Sequence, residues 1–461
     1  MKKTVALTGV LILTVTAGLF AGSLDHLSNQ SAKWVMTTSK NASTDGADIV
    51  QYNPAGTAYL TKGGHIDLSG QTVLMYYNSR NVRVGDFSGS AAPLSPLLSR
   101  PAETLRHDRP TPILPNLHLV YNLGEIGSGR LATYMQAGIV AGGGELTYKN
   151  GTAGTTFLLT GLSANLGGAL GSIRAQEFNA SSIYYGIGGG ASYAFLNDMV
   201  SVSFSGRAVM AKRDFDINFS YSTQETLSGK YEYDATGFTP IFGVNVKPNT
   251  NLTLAARFEL PTSLEFKYKQ KELGGTLAPV ATEVLQGVGI EDGKKFRHDL
   301  PAVIGLGAGY KVNDRLTVDL SGTLYLLSSA DLGAVYDNGS EVGKINEYFN
   351  TGWEAGVGVT YKIVEDWKIG AGVLYTESGS KKNYLNDPRT AFDVSADPPL
   401  DSISFGSGAT YTIRPNLDFT FSFLWNPGRA EDFSLDSGAF KVSGKYAVDY
   451  FCIGYGLSFK F

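Results

Sequence analysis

The sequence predicts an all-β protein, a transmembrane antiparallel β-barrel of fourteen strands. Three observations lead to this prediction. Apolar residues alternate with small or polar ones, short connections alternate with long ones, and glycine and aromatic residues are abundant. The 461 residues include 56 Gly, 25 Tyr and 24 Phe. Glycine suits crowded strands that close into a cylinder, and aromatic girdles mark the two interfaces of a membrane.

The N-terminus is predicted to be a signal peptide, residues 1–23. Lys2 and Lys3 form a basic start, an apolar run follows, and Ala21-Gly22-Ser23 is a small-residue cleavage site. The alternative is a membrane-anchor helix, because residues 4–22 are nearly uncharged. The short basic start and the small residues at the end favour the signal peptide, which implies export.

Charge and cysteine content narrow the class of protein. The formal net charge of −4 becomes −6 when Lys2 and Lys3 are removed with the signal peptide. This mild acidity argues against a nucleic-acid partner. The single Cys452 excludes an internal disulfide framework. No later apolar run approaches the roughly 18 residues that a spanning helix needs. The exported chain is therefore expected to be a periplasmic protein or an outer-membrane barrel.

Alternation with a period of two is the main evidence for strands. At the C-terminus one face is wholly apolar and the other is small and polar, as expected beside a wet lumen. The apolar face consists of Phe451, Ile453, Tyr455, Leu457, Phe459 and Phe461. Fourteen segments are predicted as strands, near 65–78, 112–122, 130–145, 180–195, 199–220, 231–247, 251–268, 298–312, 315–328, 348–363, 366–376, 401–413, 416–426 and 442–461.

The connections between these segments support a barrel. Short ones lie at 122–129, 196–198, 247–251, 312–315, 364–367 and 414–416. Longer ones lie near 79–111, 146–179, 221–230, 269–297, 329–347, 377–400 and 427–441. Transmembrane barrels have short periplasmic turns and longer external loops, and an even strand count leaves both termini on the periplasmic side. Closure also removes the unpaired sheet edges that lipid does not tolerate.

The third predicted strand contains an interruption. Its sequence GIVAGGGELTY loses the alternation at Gly142, Gly143 and Gly144. Three consecutive glycines weaken a strand and permit a bulge or an inward kink. The alternative is that bare backbone makes room for neighbouring side chains, which is common in a glycine-rich barrel.

Two of the outer loops are apolar. In the loop near 269–297 several apolar residues fall on one helical stripe, among them Leu277, Val280, Val284 and Leu285. Such a stripe either attracts a hydrophobic ligand or packs against other loops, and the sequence favours neither. The apolar segment 155–171 is a further candidate wall for a ligand groove.

Four basic residues are candidates for contact with an anionic ligand. Strand parity places Arg207 and Arg257 in the lumen, the latter beside Glu259. Lys212 and Arg213 lie nearer the outer end and are further candidates. A ligand carboxylate would need such a cation, but arginine and carboxylate groups often only brace a barrel interior. Bracing is the more common role.

A compact motif precedes the first strand. The stretch NASTDGADIVQYNPAGTAYL resembles the hatch segment of the FadL family of outer-membrane transporters, and its signature is Asn53, Pro54, Ala55 and Gly56. Residues 300–326 resemble a late strand pair of that family. The terminal YGLSFKF resembles the signal that the barrel-assembly machinery recognises, and it ends in Phe461.

The resemblance implies a barrel of residues 63–461 plugged by a hatch of residues 24–62. The alternative for the hatch is a simple lead-in to the first strand. Pro54 fixes its turn, and Asp45 and Asp48 are expected to pair with inward basic residues. A plug held by luminal hydrogen bonds can still shift when ligand binds.

The resemblance also implies passive uptake of hydrophobic small molecules, such as long-chain fatty acids, across a Gram-negative-type outer membrane. Capture by outer loops, binding in the lumen and lateral exit through a kinked third strand would follow one another. The expected partners are the ligand, outer-membrane lipid and the assembly machinery, and the chain is expected to be a monomer.

Nothing in the sequence indicates an enzyme, a cofactor or a metal site. The five histidines show no metal-ligand spacing, and no Ser/His pair suggests a nucleophile. The glycine runs lie within strands and not at strand-to-helix turns, so phosphate binding is not expected. Two alternatives remain, an aromatic-hydrocarbon channel of the same fold and a structural or adhesive barrel.

Overall fold

A computed structural model describes residues 29–107, 109–111, 113–287, 292–337 and 340–461. The predicted signal peptide and the first residues of the predicted hatch lie outside the described residues. No helix in the described ranges is long and apolar enough to cross a membrane.

Fourteen antiparallel strands form a closed ring, and the predicted fold is confirmed. Each strand pairs with the next in the chain, and the last pairs with the first. The strands are β1 Gly63–Gly85, β2 Leu114–Ile126, β3 Gly129–Tyr148, β4 Ile173–Phe195, β5 Val200–Tyr221, β6 Thr226–Val246, β7 Leu252–Glu259, β8 Val303–Lys311, β9 Leu316–Tyr325, β10 Gly352–Val364, β11 Trp367–Glu377, β12 Ser402–Arg414, β13 Leu417–Asn426 and β14 Lys441–Lys460.

The outer loops contain further elements. Their helices are α2 Ser95–Leu98, α3 Ala153–Asn165, α4 Ala278–Gly287, α5 Lys382–Asn386 and α6 Ala391–Ala396, while α1 Ala32–Thr37 precedes the barrel. Short 3-10 turns lie at Ala47–Gln51, Pro54–Tyr59, Gly89–Leu94, Leu327–Ser329 and Ile345–Tyr348. Additional strands lie at Arg100–Arg106, Glu265–Gly274, Lys295–Arg297, Ala334–Asp337, Ser340–Lys344 and Ala430–Asp436.

Two strand predictions differ from the structure. The expected loop at 221–230 is a tight turn, because β5 ends at Tyr221 and β6 begins at Thr226. The alternation continues above the membrane with the apolar face turned inward, where Phe215, Ile217 and Phe219 are buried. Both strands therefore extend beyond the lipid belt, and only residues 222–225 lie between them. The expected single strand at 251–268 is interrupted after Glu259 and resumes at Glu265. Pro261, which lacks a backbone donor, lies in this interruption.

The outer surface carries the expected apolar belt. On β13, Phe419, Phe421, Phe423 and Trp425 are all exposed, and the residues between them are buried. The same alternation places exposed apolar side chains around the ring, as lipid contact requires. At the β1–β14 junction the backbones of Gly64 and Phe461 exchange two hydrogen bonds, of 2.8 and 2.9 Å.

The lumen is filled by the chain's own N-terminal part. Residues 29–62, called the luminal segment below, are almost entirely buried. Its helix α1 contacts β10, β11, β12, β13 and β14. The small inward face of these strands was expected to border water. Instead it borders the luminal segment, because glycine allows another backbone to approach the wall closely.

Gly406 on β12 illustrates this close approach. A methyl group at Gly406 would lie 2.5 Å from the carbonyl oxygen of Val35 and 2.9 Å from that of Met36. At Gly356 on β10 the corresponding distance to the Thr38 carbonyl oxygen is 2.7 Å. By contrast, a methyl group at Gly305 on β8 would meet only ordinary contacts, the shortest of 3.5 Å to Asn41.

We expect Gly406→Ala to lower the free energy of unfolding by about 1–3 kcal/mol, because the added methyl group overpacks the wall against α1. Urea unfolding of the purified protein in lipid vesicles measures this. Gly305→Ala is the matched control, since it adds the same methyl group on an inward position with room, and it should change stability by less than about 0.5 kcal/mol. Equal effects of the two substitutions would contradict the role assigned to close packing.

Candidate functional site

The Asn53–Gly56 motif is held against the inner wall by hydrogen bonds. The Asn53 and Asn245 amides are 2.9 Å apart, and the hydroxyl of Ser201 donates to the Ala55 carbonyl oxygen at 2.8 Å. Pro54 opens a 3-10 turn that ends at Tyr59. After this turn the Asn122 amide donates to the carbonyl oxygens of Ala58 and Leu60 at 3.0 and 2.9 Å. The motif and the turn that follows it are thus fixed to one side of the wall, on strands β2, β5 and β6.

An ionic cluster lies within the luminal segment, with Lys40 and Asp48 buried and Asp45 exposed. The ammonium group of Lys40 is 2.9 Å from Asp45 and 2.8 Å from Asp48, and Lys40 is only 2% exposed. Burial alone would lower the pKa of Lys40, but the two carboxylates outweigh it and raise the pKa above its ordinary value. The expected pairing of Asp45 and Asp48 with basic residues is present, but the partner comes from the segment itself. The cluster therefore braces the segment internally.

Strand β3 bulges at its glycines. Its register against β4 shifts between Ile139 and Ala141 and again between Ala141 and Gly144. Gly142 and Gly144 have φ of +86° and +96°, a region that other residues rarely adopt. Among the described residues, the ladder between β2 and β3 ends at Asn116 and Gly138. Beyond that pair β3 continues along β4 alone. We call this stretch, residues 139–144, the β3 seam.

Asn29 of the luminal segment bonds to the wall at the β3 seam. Its amide donates to the carbonyl oxygen of Ile139 at 2.9 Å and to the Asn116 side chain at 2.8 Å. The Ile139 carbonyl lies just beyond the last β2–β3 pair. Asn29 therefore replaces a ladder hydrogen bond that β2 no longer supplies.

A polar cavity of about 90 Å³ lies between the luminal segment and the wall. At one side it reaches Gly138 and, in the β3 seam, Ile139 and Val140. At its centre the guanidinium of Arg207 lies 2.5 Å from Glu259, and that of Arg257 lies 3.4 Å from the same carboxylate. Two cations thus share one close carboxylate. Further polar lining comes from Gln30, Asn116, His118, Gln136, Thr239 and Glu354.

Glu354 on β10 has its own partners in this cavity. Its carboxylate accepts hydrogen bonds from the Tyr325 hydroxyl at 2.9 Å and the Thr376 hydroxyl at 3.2 Å. Both partners are neutral. The nearest partners of the Glu354 carboxylate are thus hydroxyl groups, and Arg207 and Arg257 pair with Glu259 instead.

Above the cavity the inner wall is aromatic. Phe178, Phe215, Tyr233 and Phe296 form successive ring contacts, with centroids 5.4 to 6.3 Å apart. Arg213 is buried there, with its guanidinium 4.8 Å from the centroid of the Phe266 ring. Aromatic rings favour apolar or aromatic ligands and also stabilise a buried cation.

Two outer-loop helices close the aromatic zone from above. Residues 391–400, which include α6, are all buried, and α6 packs against α3. Phe392 of α6 meets Phe178 edge to face at 4.9 Å. Burial raises the pKa of Asp393 well above its ordinary value, although nearby Arg213 opposes this. The loops therefore fold into the barrel mouth.

The structure separates the predicted ligand-contact residues into three groups. Arg207 and Arg257 meet in the cavity, while Arg213 lies in the aromatic zone. Lys212 lies on the outer face, where its side chain is 57% exposed and pairs with Asp214 at 3.3 Å. Adjacent strand residues face opposite ways, so Lys212 and Arg213 cannot share a site.

The apolar stripe of α4 is packed where it is described. Leu277 and Ala281 are buried, and Val280 is partly buried against the same core. The side chains of Val284 and Leu285 lie outside the described part of the chain. Of the two interpretations of this stripe, packing applies to its first turn. The segment 155–171 is largely buried as α3, with Leu166 exposed at its end.

Sequence reasoning missed Asn29, Tyr325 and Thr376. A single polar residue in a coil or on a strand carries no periodic signal, so no local pattern identifies them. Strand parity places Glu354 in the lumen, but its hydroxyl partners on neighbouring strands depend on register, which the sequence does not state. In the described ranges no three His, Cys, Asp or Glu side chains are grouped to hold a metal ion.

Comparison with known proteins agrees with this geometry. No curated protein matches the sequence. A FadL homologue from Pseudomonas aeruginosa has a similar structure, with a TM-score of 0.67, 15% identity, and coverage of 94% of this chain and 98% of that one. The toluene transporter TbuX of Ralstonia pickettii gives 0.59 at 12% identity, with 95% and 99% covered. The toluene transporter TodX of P. putida gives 0.57 at 12% identity, with 94% and 99% covered. At these identities the likeness shows the fold.

A family model assigns the chain over nearly its whole length. The model for outer membrane protein transport proteins (OMPP1/FadL/TodX) matches residues 14–461. This match agrees with the fourteen-stranded ring and the Asn53–Gly56 motif. The chain is therefore a bacterial outer-membrane β-barrel without enzymatic activity, and it belongs to the FadL family of transporters for hydrophobic molecules.

Proposed function

We propose that this protein takes up long-chain fatty acids by passive diffusion, with the carboxylate held in the polar cavity and lateral exit at the β3 seam. The charge of the polar cavity is the main support for this proposal. Arg207 and Arg257 share the carboxylate of Glu259, so this group of three side chains has one excess positive charge. In an enclosed site such a charge is favourable for an anionic headgroup.

The aromatic zone above the cavity supports the same substrate class. Its rings are packed beneath the loop helices in this structure, and they would give an alkyl chain an apolar surface once those helices move. Burial of apolar area contributes about 25 cal/mol per Å². The polar cavity follows directly below. An amphipathic ligand therefore finds an apolar surface and a cationic group in the order in which it would enter from outside.

The contact of Asn29 with Ile139 supports a gating role for the luminal segment. The segment is joined to the β3 seam by side-chain hydrogen bonds, each of modest net strength, about 0.5–1.5 kcal/mol. A ligand that competes for these groups releases the part of the segment at Asn29 at the cost of these bonds alone. The seam then opens to lipid while the rest of the ring stays paired.

Aromatic hydrocarbons are the second candidate substrates. The ring contacts from Phe178 to Phe296 favour them, because aromatic pairs add about 0.5–1.5 kcal/mol beyond area burial. Such a ligand has no use for the arginines. The two substrate classes are therefore separable by substitution in the cavity.

We expect Arg257→Gln to weaken binding of oleate about tenfold and to leave toluene binding unchanged, because only the carboxylate uses the positive charge. Titration of the purified protein with each labelled ligand measures this. Lys212→Gln removes the same charge on the outer face and should change neither affinity. Unchanged oleate binding by Arg257→Gln would refute the headgroup assignment, and absence of saturable binding of both ligands to the wild type would refute the transport proposal.

We expect Gly142→Val to slow oleate uptake about fivefold in a barrel that still folds. A side chain at Gly142 would meet the backbone of Ser182, including its carbonyl carbon at 2.8 Å, at a φ that valine avoids, so the bulge must change. Uptake by cells and heat-modifiable gel migration give the two readouts. Gly438→Val is the control, because Gly438 also has positive φ but nothing within 4 Å. Normal uptake by a folded Gly142→Val protein would exclude exit at the β3 seam.

A further inference from the structure

Three adjacent strands carry prolines at one level of the wall. Pro240 lies within β6, Pro261 follows β7, and Pro301 precedes β8. The register Glu259–Val303 and Thr262–Leu300 places Pro261 opposite Pro301. Proline has no backbone N–H to give to a ladder and is rare inside sheets. Three prolines at one level therefore weaken the backbone hydrogen bonding in this part of the ring.

The ladder between β6 and its neighbour is interrupted at this level. Paired residues end at Ile241–Glu259 and resume only at Asp234–Lys267. Between residues 235–240 and 260–264, all described, a single backbone hydrogen bond crosses, from the Leu260 N–H to the Pro240 carbonyl oxygen at 3.0 Å. We call this stretch the proline seam. An incomplete ladder in lipid is costly, so most of the ring avoids one.

The proline seam opens on the polar cavity from inside. Leu260, Thr239 and Thr262 line the same cavity that reaches the β3 seam at Ile139. The hydroxyls of Thr239 and Thr262 are hydrogen-bonded to each other across the seam. Arg257 and Glu259, at the end of β7, line the same cavity just below the seam. The cavity thus reaches two interruptions in the wall.

From outside, the proline seam lies at the edge of the apolar belt. Below it Phe242 and Phe258 are exposed, and at its level Phe238 is 60% exposed. Above it the first ladder pair, Asp234–Lys267, is charged and exposed. This is the depth at which an amphipathic molecule places its head beside water and its chain in hydrocarbon.

We propose that the proline seam is a second lateral portal, through which a single-chain anionic amphiphile passes between the polar cavity and the outer leaflet. The proposal rests on the proposed uptake function. The Thr239–Thr262 hydrogen bond is the closure of this portal. Between residues 235–240 and 260–264 its opening breaks this side-chain hydrogen bond and one backbone hydrogen bond and separates Gly237 from the Ser263 carbonyl group. A gap of this length in one of the regular ladders of the ring would break several backbone hydrogen bonds.

A reversible cross-link tests the portal. Because the Thr239 and Thr262 hydroxyls touch, Thr239→Cys/Thr262→Cys brings two sulfurs to bonding distance across the seam. The native Cys452 is buried on β14, away from this seam. Thr410→Cys/Thr420→Cys is the matched control. It joins two buried threonines whose hydroxyls are 2.9 Å apart in the intact β12–β13 ladder.

Oleate uptake is measured in each protein, oxidised and reduced, with and without Gly142→Val. We expect the oxidised seam cross-link to reduce uptake at least fivefold further in the Gly142→Val background, with recovery on reduction. The β12–β13 cross-link should have no effect. Equal uptake by the oxidised and reduced seam variant, or complete loss of uptake from Gly142→Val alone, overturns the second portal. A wild type without saturable oleate uptake overturns the transport proposal instead.

A second measurement needs no cysteine, so it tests the proposal even if the cross-link does not form. Oleate with a photoreactive group at the chain end is irradiated with the wild-type protein in vesicles, and labelled peptides are mapped. Labelling at Phe238, Pro261 or Ser263 is expected, because these residues form the outer side of the seam. Labelling confined to residues near the β3 seam overturns the second portal.

Discussion

Backbone pairing in lipid is the constraint on which the rest of the structure depends. In hydrocarbon each unpaired N–H or C=O group costs several kcal/mol, so a sheet must close on itself. Here fourteen strands close through the β14–β1 pairing, which extends to the final residue, Phe461. Against such a regular ring, the β3 seam and the proline seam stand out. Both border the same polar cavity, which ties the irregular parts of the wall to the site.

The ring size also explains the luminal segment. Eight strands leave an interior that side chains can fill, but fourteen leave a wider lumen. The chain fills it with residues 29–62, whose backbone polar groups then need partners away from water. The wall supplies them as side-chain amides and hydroxyls, such as Asn122 and Ser201. Apolar contacts hold the segment as well, since Ile49, Val50 and Leu60 pack against Val120, Ala132 and Tyr134 of β2 and β3. The segment is thus fixed to the wall by both polar and apolar contacts.

The sequence predicted what is periodic or local and missed what depends on register. All fourteen strands followed from alternation, because lipid on one side and a packed lumen on the other enforce it. The glycines of β3 identified its bulge. The proline seam was not predicted, since Pro240, Pro261 and Pro301 meet only through the pairing of three strands. Strand parity places Arg207 in the lumen. The same rule, applied to Lys212 on the same strand, places Lys212 on the outer face.

The level of the charged groups in the lumen bears directly on the substrate class. Arg207 and Arg257 lie at the height of the two seams and not at the periplasmic end. An amphiphile held there can pass its chain sideways into hydrocarbon while its head stays with the arginines, so no charge enters lipid before the interface is reached. An arene gains nothing from charges at that height, and a wall of aromatic rings alone would serve it. The height of the two arginines beside the wall openings therefore supports the proposed amphiphile over an arene.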